Sequence, residues 1–180
     1  MCRKIGVFLS SRTNLPAPYR QAAEEVGGWI GCTGRTLVYG GARKGLMEVL
    51  ARAVKESGGR VYGVVPQIIE ERGQVSDVPD VLFRTADLND RKAVMVRESD
   101  ALLVLPGGIG TLDEAFTVLA AGLIGIARKP LVFYNVGGCW DALLAMLAGM
   151  QAQGLVDDGG EPLWRVATTV DELERCFGGR

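Results

Sequence analysis

Histidine is absent from all 180 residues. Its absence removes Ser–His and Cys–His activation of a nucleophile, the H-E-x-x-H metalloprotease pattern and imidazole acid–base catalysis. Any chemistry must come from carboxylates, Arg, Lys, Tyr, hydroxyls or the main chain. Cysteine is sparse: Cys2, Cys32, Cys139 and Cys176 are far apart and form no C-x-x-C pair, which argues against a disulfide framework or a zinc knuckle. Neither sign of charge dominates. The 20 basic and 21 acidic residues are dispersed and give a net charge of −1, so no footprint for nucleic acid or an anionic membrane is visible. No apolar run approaches the roughly 18 residues of a membrane span, and Met1-Cys2-Arg3-Lys4 leads into a strand-like run without a small-residue cleavage site. A soluble, cytoplasmic protein is expected. Standard nucleotide fingerprints are also missing: neither G-x-x-x-x-G-K-[ST] nor G-x-G-x-x-G with a following acidic residue occurs after a strand-like run.

What is present is a hydrophobic content of 48%, enough at this length for one well-buried core and too little chain for two comfortable domains. One domain spanning residues 1–180 is expected. Strand-like and helix-like segments alternate along it. Ile5 to Leu9, Thr36 to Tyr39, Arg60 to Val65, Val81 to Phe83, Ala101 to Leu105, Leu131 to Tyr134 and Trp164 to Ala167 read as strands. Helical patterns run from about Pro18 to Cys32, through Leu46, Met47, Leu50 and Val54, from Leu88 to Glu98, after Thr111, from Trp140 to Gln153 and at the tail, where Thr169-x-x-Glu172 is a capping box. Such alternation describes a single-domain, Rossmann-like α/β fold: a doubly wound parallel sheet with helices on both faces.

Ligands of such sheets sit beyond the carboxyl ends of the strands. Three polar or glycine-rich turns fall at that edge: Ser10 to Asn14, Gly40 to Gly45, and Gly107 to Thr111. The third is the most informative. It follows the apolar run Ala101 to Leu105 and precedes an amphipathic helix, so glycines able to take φ > 0 would present main-chain N–H groups and the positive helix end to an anion. Ser10, Gly40, Gly41, Gly107, Gly108, Ile109, Gly110 and Thr111 are therefore candidate ligand contacts, with phosphate the obvious guest. Thr111-x-x-Glu114 also spells a capping box that would satisfy only the helix's own N–H groups. The strand, turn and helix pattern alone leaves both readings open. Arg91 and Lys92, upstream, either bring positive charge to the same edge or lie on a solvated helix face.

Pro106-Gly107-Gly108-Ile109-Gly110-Thr111-Leu112-Asp113-Glu114 fits a PGGxGTxxE motif, and Asp90-Arg91-Lys92-Ala93 stands upstream of it. With Tyr39-Gly40-Gly41-Ala42-Arg43-Lys44-Gly45-Leu46-Met47, Gly63-Val64-Val65-Pro66 and Lys129-Pro130, these residues resemble the LOG (Lonely Guy) family, whose members were often labelled lysine decarboxylases. The resemblance covers roughly residues 4 to 150. It implies hydrolysis of the N-glycosidic bond of adenine-type (cytokinin riboside) nucleoside 5′-monophosphates to free base and ribose 5-phosphate, with no redox cofactor or obligatory metal. It further implies that Arg91 and Glu114 are catalytic, that Lys92 and the Gly108 to Thr111 turn contact the nucleotide, and that the protein forms a homodimer or higher homo-oligomer. The chain departs from the family pattern at Ala42, where a third glycine is common, and at Glu48, where glycine is usual after Gly-Leu-Met. A noncatalytic nucleotide or molybdopterin-type carrier is the alternative, because related carriers share a GGxGT turn. Retention of both Arg91 and Glu114 favours the enzyme.

Overall fold

The structure, a computed structural model, describes residues 2–157 and 159–177. Seven strands, β1 (Lys4–Phe8), β2 (Thr36–Tyr39), β3 (Arg60–Pro66), β4 (Val81–Thr85), β5 (Ala101–Val104), β6 (Leu131–Tyr134) and β7 (Arg165–Ala167), form one sheet in the order β4-β3-β2-β1-β5-β6-β7. Every pairing is parallel. The helices are α1 (Ala17–Cys32), α2 (Gly45–Glu56), α3 (Gln67–Glu71), α4 (Leu88–Glu98), α5 (Ile109–Leu123), α6 (Asp141–Ala152) and α7 (Val170–Phe177), with a short 3-10 turn at Val136–Gly138. This is the doubly wound architecture that the alternation of segments predicts.

Strand side chains alternate between two cores, because successive residues point to opposite faces. Ile5, Val7, Leu37, Tyr39, Leu103 and Val132 pack with α1, α2 and α7. Phe8, Val38, Leu102, Val104 and Phe133 pack with α4, α5 and α6. The glycines that weaken α1 have a packing reason. A Cβ at Gly27 would strike Ala53 and the Leu50 carbonyl, and one at Gly31 would strike Ser57 and the Val54 carbonyl. The two helices approach backbone to backbone, so burial offsets the roughly 1 kcal/mol that each glycine costs in helix propensity. The tail's cap forms with a shifted return: Thr169 Oγ1 accepts from Glu172 N–H, whereas the Glu172 carboxylate accepts from the N–H and hydroxyl of Thr168, one residue before the expected N-cap.

One local expectation is corrected. The helix after β5 opens at Ile109, two residues before Thr111, and its N-cap is Gly108, which makes no side-chain cap bond. Thr111 lies inside the first turn, so no Thr111–Glu114 capping box forms; the carboxylate belongs to tertiary structure.

The sheet winds outward from β1 through β2 and β3 to β4, then crosses back to place β5 on the other side of β1. The winding direction therefore reverses between β1 and β5, where such sheets open a crevice. The turns after β2, β1 and β5 are consecutive along that edge.

Candidate active site

Main-chain bonds fasten the walls of the crevice first. Leu105 N–H donates to the Phe8 carbonyl at 3.0 Å, and Ser10 N–H donates to the Pro106 carbonyl at 3.1 Å, which continues the β1/β5 ladder into the two turns. Ser10 is buried, and its Oγ accepts from the Arg12 N–H at 3.1 Å. Beyond Pro106 the chain enters α5. Leu112 N–H donates to the Gly108 carbonyl as the helix begins, so the N–H groups of Ile109, Gly110 and Thr111 precede the helical ladder and have no side-chain cap. Gly108, Ile109 and Gly110 are exposed and Thr111 is buried. The result is a main-chain cradle open on one side.

The glycines serve this cradle for a different reason from the one their flexibility suggests. Gly107, Gly108 and Gly110 all have negative φ, which corrects the expectation of left-handed backbone. A Cβ on Gly107 would collide with the Thr111 side chain, whereas one on Gly108 or Gly110 would meet nothing within 4 Å. Gly107 thus permits close packing, and the other two leave the space over the cradle clear.

The side chains at the crevice come from two helices. Asp87 caps α4 by accepting from the N–H groups of Asn89 and Asp90 at 2.8 and 2.9 Å, and Asp90 accepts in return from the Ala86 N–H. This reciprocal cap fixes the turn that carries Arg91. Arg91 Nη2 then lies 3.0 Å from Glu114 Oε1 on the second turn of α5, with only 13% and 7% of the two side chains exposed. The guanidinium occupies the space that a Cβ on Gly40 would take, beside Met47. Gly41 takes φ +66° and its carbonyl accepts from the Ser76 N–H at 2.9 Å, so it shapes this wall through its backbone.

Burial pushes the Glu114 carboxyl up to about 7, with Asp113 adding to the rise and Arg91 and Lys92 opposing it. A carboxyl in that range exchanges protons near neutral pH, which suits acid–base chemistry. Arg91 Nε is buried without a hydrogen-bond partner. An unpaired buried donor costs about 1–3 kcal/mol, and an acceptor entering the crevice would recover it.

The structure brings Ser10, Gly40, Gly41, Arg91, Glu114 and the Gly107 to Thr111 turn to one edge. Lys92 is the exception in detail: its ammonium is held by both carboxylate oxygens of Asp113, at 2.9 and 2.8 Å, rather than by the cradle. That pair makes a second rung between α4 and α5 beside Arg91–Glu114. Sequence reasoning passed over Asp113, although its place between Leu112 and Glu114, opposite a basic pair, was the available signal. Among the described residues, no group of three or more Cys, Asp or Glu side chains is placed to hold a metal ion.

Fold and site together define a Rossmann-like α/β protein with a cradle of uncapped main-chain N–H groups beside a buried carboxylate–guanidinium pair. A family described as possible lysine decarboxylase matches residues 47–176. Two probable cytokinin riboside 5′-monophosphate phosphoribohydrolases of Oryza sativa subsp. japonica are 36% and 38% identical over 171 residues, 95% of this chain and 70% and 75% of theirs. A cytokinin riboside 5′-monophosphate phosphoribohydrolase of Arabidopsis thaliana is 34% identical over 170 residues, 94% of this chain and 79% of its own. The chain belongs to this family, the LOG family that its motifs resemble. Among solved structures, the molybdenum cofactor carrier protein of Chlamydomonas reinhardtii superposes with a TM-score of 0.75 at 23% identity, covering 99% of this chain and all of the other. The protein TM1055 superposes with a TM-score of 0.74 at 24% identity, covering 98% of each chain. These two likenesses are of fold.

Proposed function

We propose that the protein hydrolyses the N-glycosidic bond of adenine-type nucleoside 5′-monophosphates, the cytokinin riboside 5′-monophosphates among them, to free base and ribose 5-phosphate. The observation that carries this reading is the buried Arg91–Glu114 pair, 3.0 Å apart, beside uncapped main-chain N–H groups at the start of α5. Breaking a ribosyl C–N bond develops positive charge on the sugar and negative charge on the departing base. The cradle at Gly108 to Thr111 binds the 5′-phosphate, with Gly107, Ser10, Gly40 and Gly41 shaping its walls. Glu114, about one helical turn further along α5, faces the ribose at a fixed offset from the phosphate. Its ionised carboxylate stabilises the cationic sugar and orients water. That water supplies hydroxyl to C1′ and a proton to the base. The Arg91 guanidinium provides positive charge and directed N–H donors rather than a proton. Lys92, whose ammonium donates two hydrogen bonds to Asp113, keeps a third N–H for the nucleotide.

The identity to the named phosphoribohydrolases over 94–95% of the chain supports the same reading. We further propose that residues 1–180 act as one catalytic domain in the cytoplasm. No helix among the described residues is long and apolar enough to cross a membrane. A homodimer is supported by Ile124 and Ile126, 71% and 77% exposed just past α5, the second of which joins Val96, Val118 and Ala121 in lining an open cavity of about 740 Å³.

The test is chromatography of the products formed from a panel of nucleoside monophosphates by wild type and by Glu114→Gln. Release of adenine or an N6-substituted adenine by wild type, lost in the folded variant, is the expected result. Stoichiometric nucleotide binding with no product in either would overturn it in favour of a carrier.

A further inference from the structure

Joined to the Gly40–Gly41 turn is a second polar cluster that the proposed chemistry does not use. Glu48, in the first turn of α2, accepts a 2.7 Å hydrogen bond at Oε2 from Ser76 Oγ, while its Oε1 lies 2.6 Å from Arg52 Nη2. Ser76 is buried, and its N–H donates to the Gly41 carbonyl at 2.9 Å. Two residues earlier, the Gln74 carbonyl accepts from the Arg43 N–H at 2.8 Å, and Val75 forms an antiparallel bridge with Ala42. The segment 74–76 is thus a strap laid along 41–43. Gly41 leaves no room on its other side, where a Cβ would strike Val65. The strap's main-chain bonds tie it to the glycine turn and, through Gln74 N–H to the Ile69 carbonyl at 3.2 Å, to α3; the Glu48–Ser76 bond ties it to α2.

That turn decides where Arg91 sits, because the guanidinium occupies the space against Gly40 and beside Met47, the neighbour of Glu48. The first turn of α2 therefore meets the Gly40 wall by two routes: Met47 directly, and Glu48 through Ser76 and the Gly41 carbonyl. The geometry points to Glu48 as a positioning residue that, through Ser76, clamps the Gly40 to Ala42 turn and so sets how Arg91 meets Glu114. A charge-assisted hydrogen bond in a poorly solvated place is strong and directional enough for such a clamp. Its kinetic consequence rests on the hydrolase reading; its geometric consequence does not.

The groups that set the charge on Glu114 are Arg91 and Lys92 from α4 and its own neighbour Asp113. Loosening the clamp lets Arg91 withdraw while Lys92 and Asp113 stay paired, so Glu114 ionises less readily. The experiment compares wild type with Glu48→Ala, Ser76→Ala, the double variant and Glu48→Gln, whose amide oxygen still accepts from Ser76. The readouts are kcat and KM on AMP, the acidic limb of the pH–rate profile, and the ¹³C-carboxyl NMR titration of Glu114, assigned by its loss in Glu114→Gln. In both single alanine variants kcat should fall about tenfold with little change in KM, and the limb and the Glu114 midpoint should rise by about half a pH unit. The double variant should be no worse than either single one, because both cut the same link. Glu48→Gln should recover most of the loss. Alanine variants that lose thermal stability but keep kcat, limb and Glu114 midpoint would overturn the assignment. Should Glu48→Ala fail to fold, Ser76→Ala carries the same comparison. If wild type turns over no nucleotide the hydrolase reading fails, while the NMR midpoint still decides the clamp.

Discussion

Arg91 and Glu114 form a pair with Nη2 3.0 Å from Oε1, and the arginine reaches it only because residue 40 has no side chain. Arg91 leaves a capped turn at Asp87 to Asp90, passes Gly40, and meets the carboxylate across the gap between α4 and α5. The fork of the guanidinium matters here, since Nη2 serves Glu114 while Nε remains available. Lysine has one ammonium and no fork. Arg91→Lys should therefore lower kcat on a nucleoside monophosphate by about 10–100-fold while changing the melting temperature little, measured by steady-state kinetics beside calorimetry. An unchanged kcat would remove Arg91 from the catalytic group.

Glu114 links activity and stability with opposite signs. Burial raises its carboxyl from 4.5 to about 7, and the proposed chemistry needs the ionised form, so kcat/KM should climb through an acidic limb near pH 7. Stability runs the other way. Below about pH 4.5 the group is protonated in both folded and unfolded chains and contributes no difference. Between 4.5 and about 7 the unfolded chain ionises first, so the folded protein binds more protons and loses stability as pH rises, with no further loss above about 7. Glu114→Gln lacks this titration. Its melting temperature relative to wild type should rise from pH 4.5 to pH 7 and then level off, as seen by scanning calorimetry across that range.

The sheet and the cradle were legible in sequence because each is written locally. Continuous apolar runs such as Leu131 to Tyr134 have the length of a buried strand, and a glycine turn between strand and helix marks where main-chain N–H groups come free, although close packing also calls for glycine there. Helix boundaries were less legible. Thr111 and Glu114 have the spacing of a capping box, and nothing in the residues themselves shows that Gly108 takes the cap position and sends the carboxylate into the crevice. The α-carbon of Gly40 against Arg91, and the bonds of Asp113 to Lys92 and of Ser76 to Glu48, join residues 21 to 51 positions apart. Contacts of that kind follow from the strand order, which sequence pattern does not specify.

Asp87 offers a test of how far the site depends on the helix that carries it. Its carboxylate is the N-cap of α4 and satisfies two N–H groups one turn before Arg91. Asp87→Ala should cost about 1 kcal/mol of stability, as cap removals do, and should also lower kcat, because the fraying turn carries the guanidinium. Asp87→Asn, which keeps an accepting oxygen, should restore both. Denaturant unfolding and turnover measured on the same preparations would separate this result from a cap with only a structural role, in which kcat would stay at the wild-type value.

Two neighbouring glycines should respond to the same substitution in opposite ways. At Gly107 an added methyl group meets the buried Thr111 side chain, so Gly107→Ala must push that residue aside and should destabilise the fold by about 1–3 kcal/mol. At Gly108 the methyl group meets nothing within 4 Å, so the only cost is that of a poorer N-cap, about 1 kcal/mol or less. The open space there is where the proposed function seats the 5′-phosphate. Gly108→Ala should therefore fold normally yet raise KM for the nucleotide about tenfold, and should lose most of its effect on a nucleoside that lacks the 5′-phosphate. Calorimetry and kinetics on the two variants together locate the phosphate. A Gly108→Ala protein with unaltered KM would move the phosphate away from α5 and leave Glu114 without a fixed distance to the sugar.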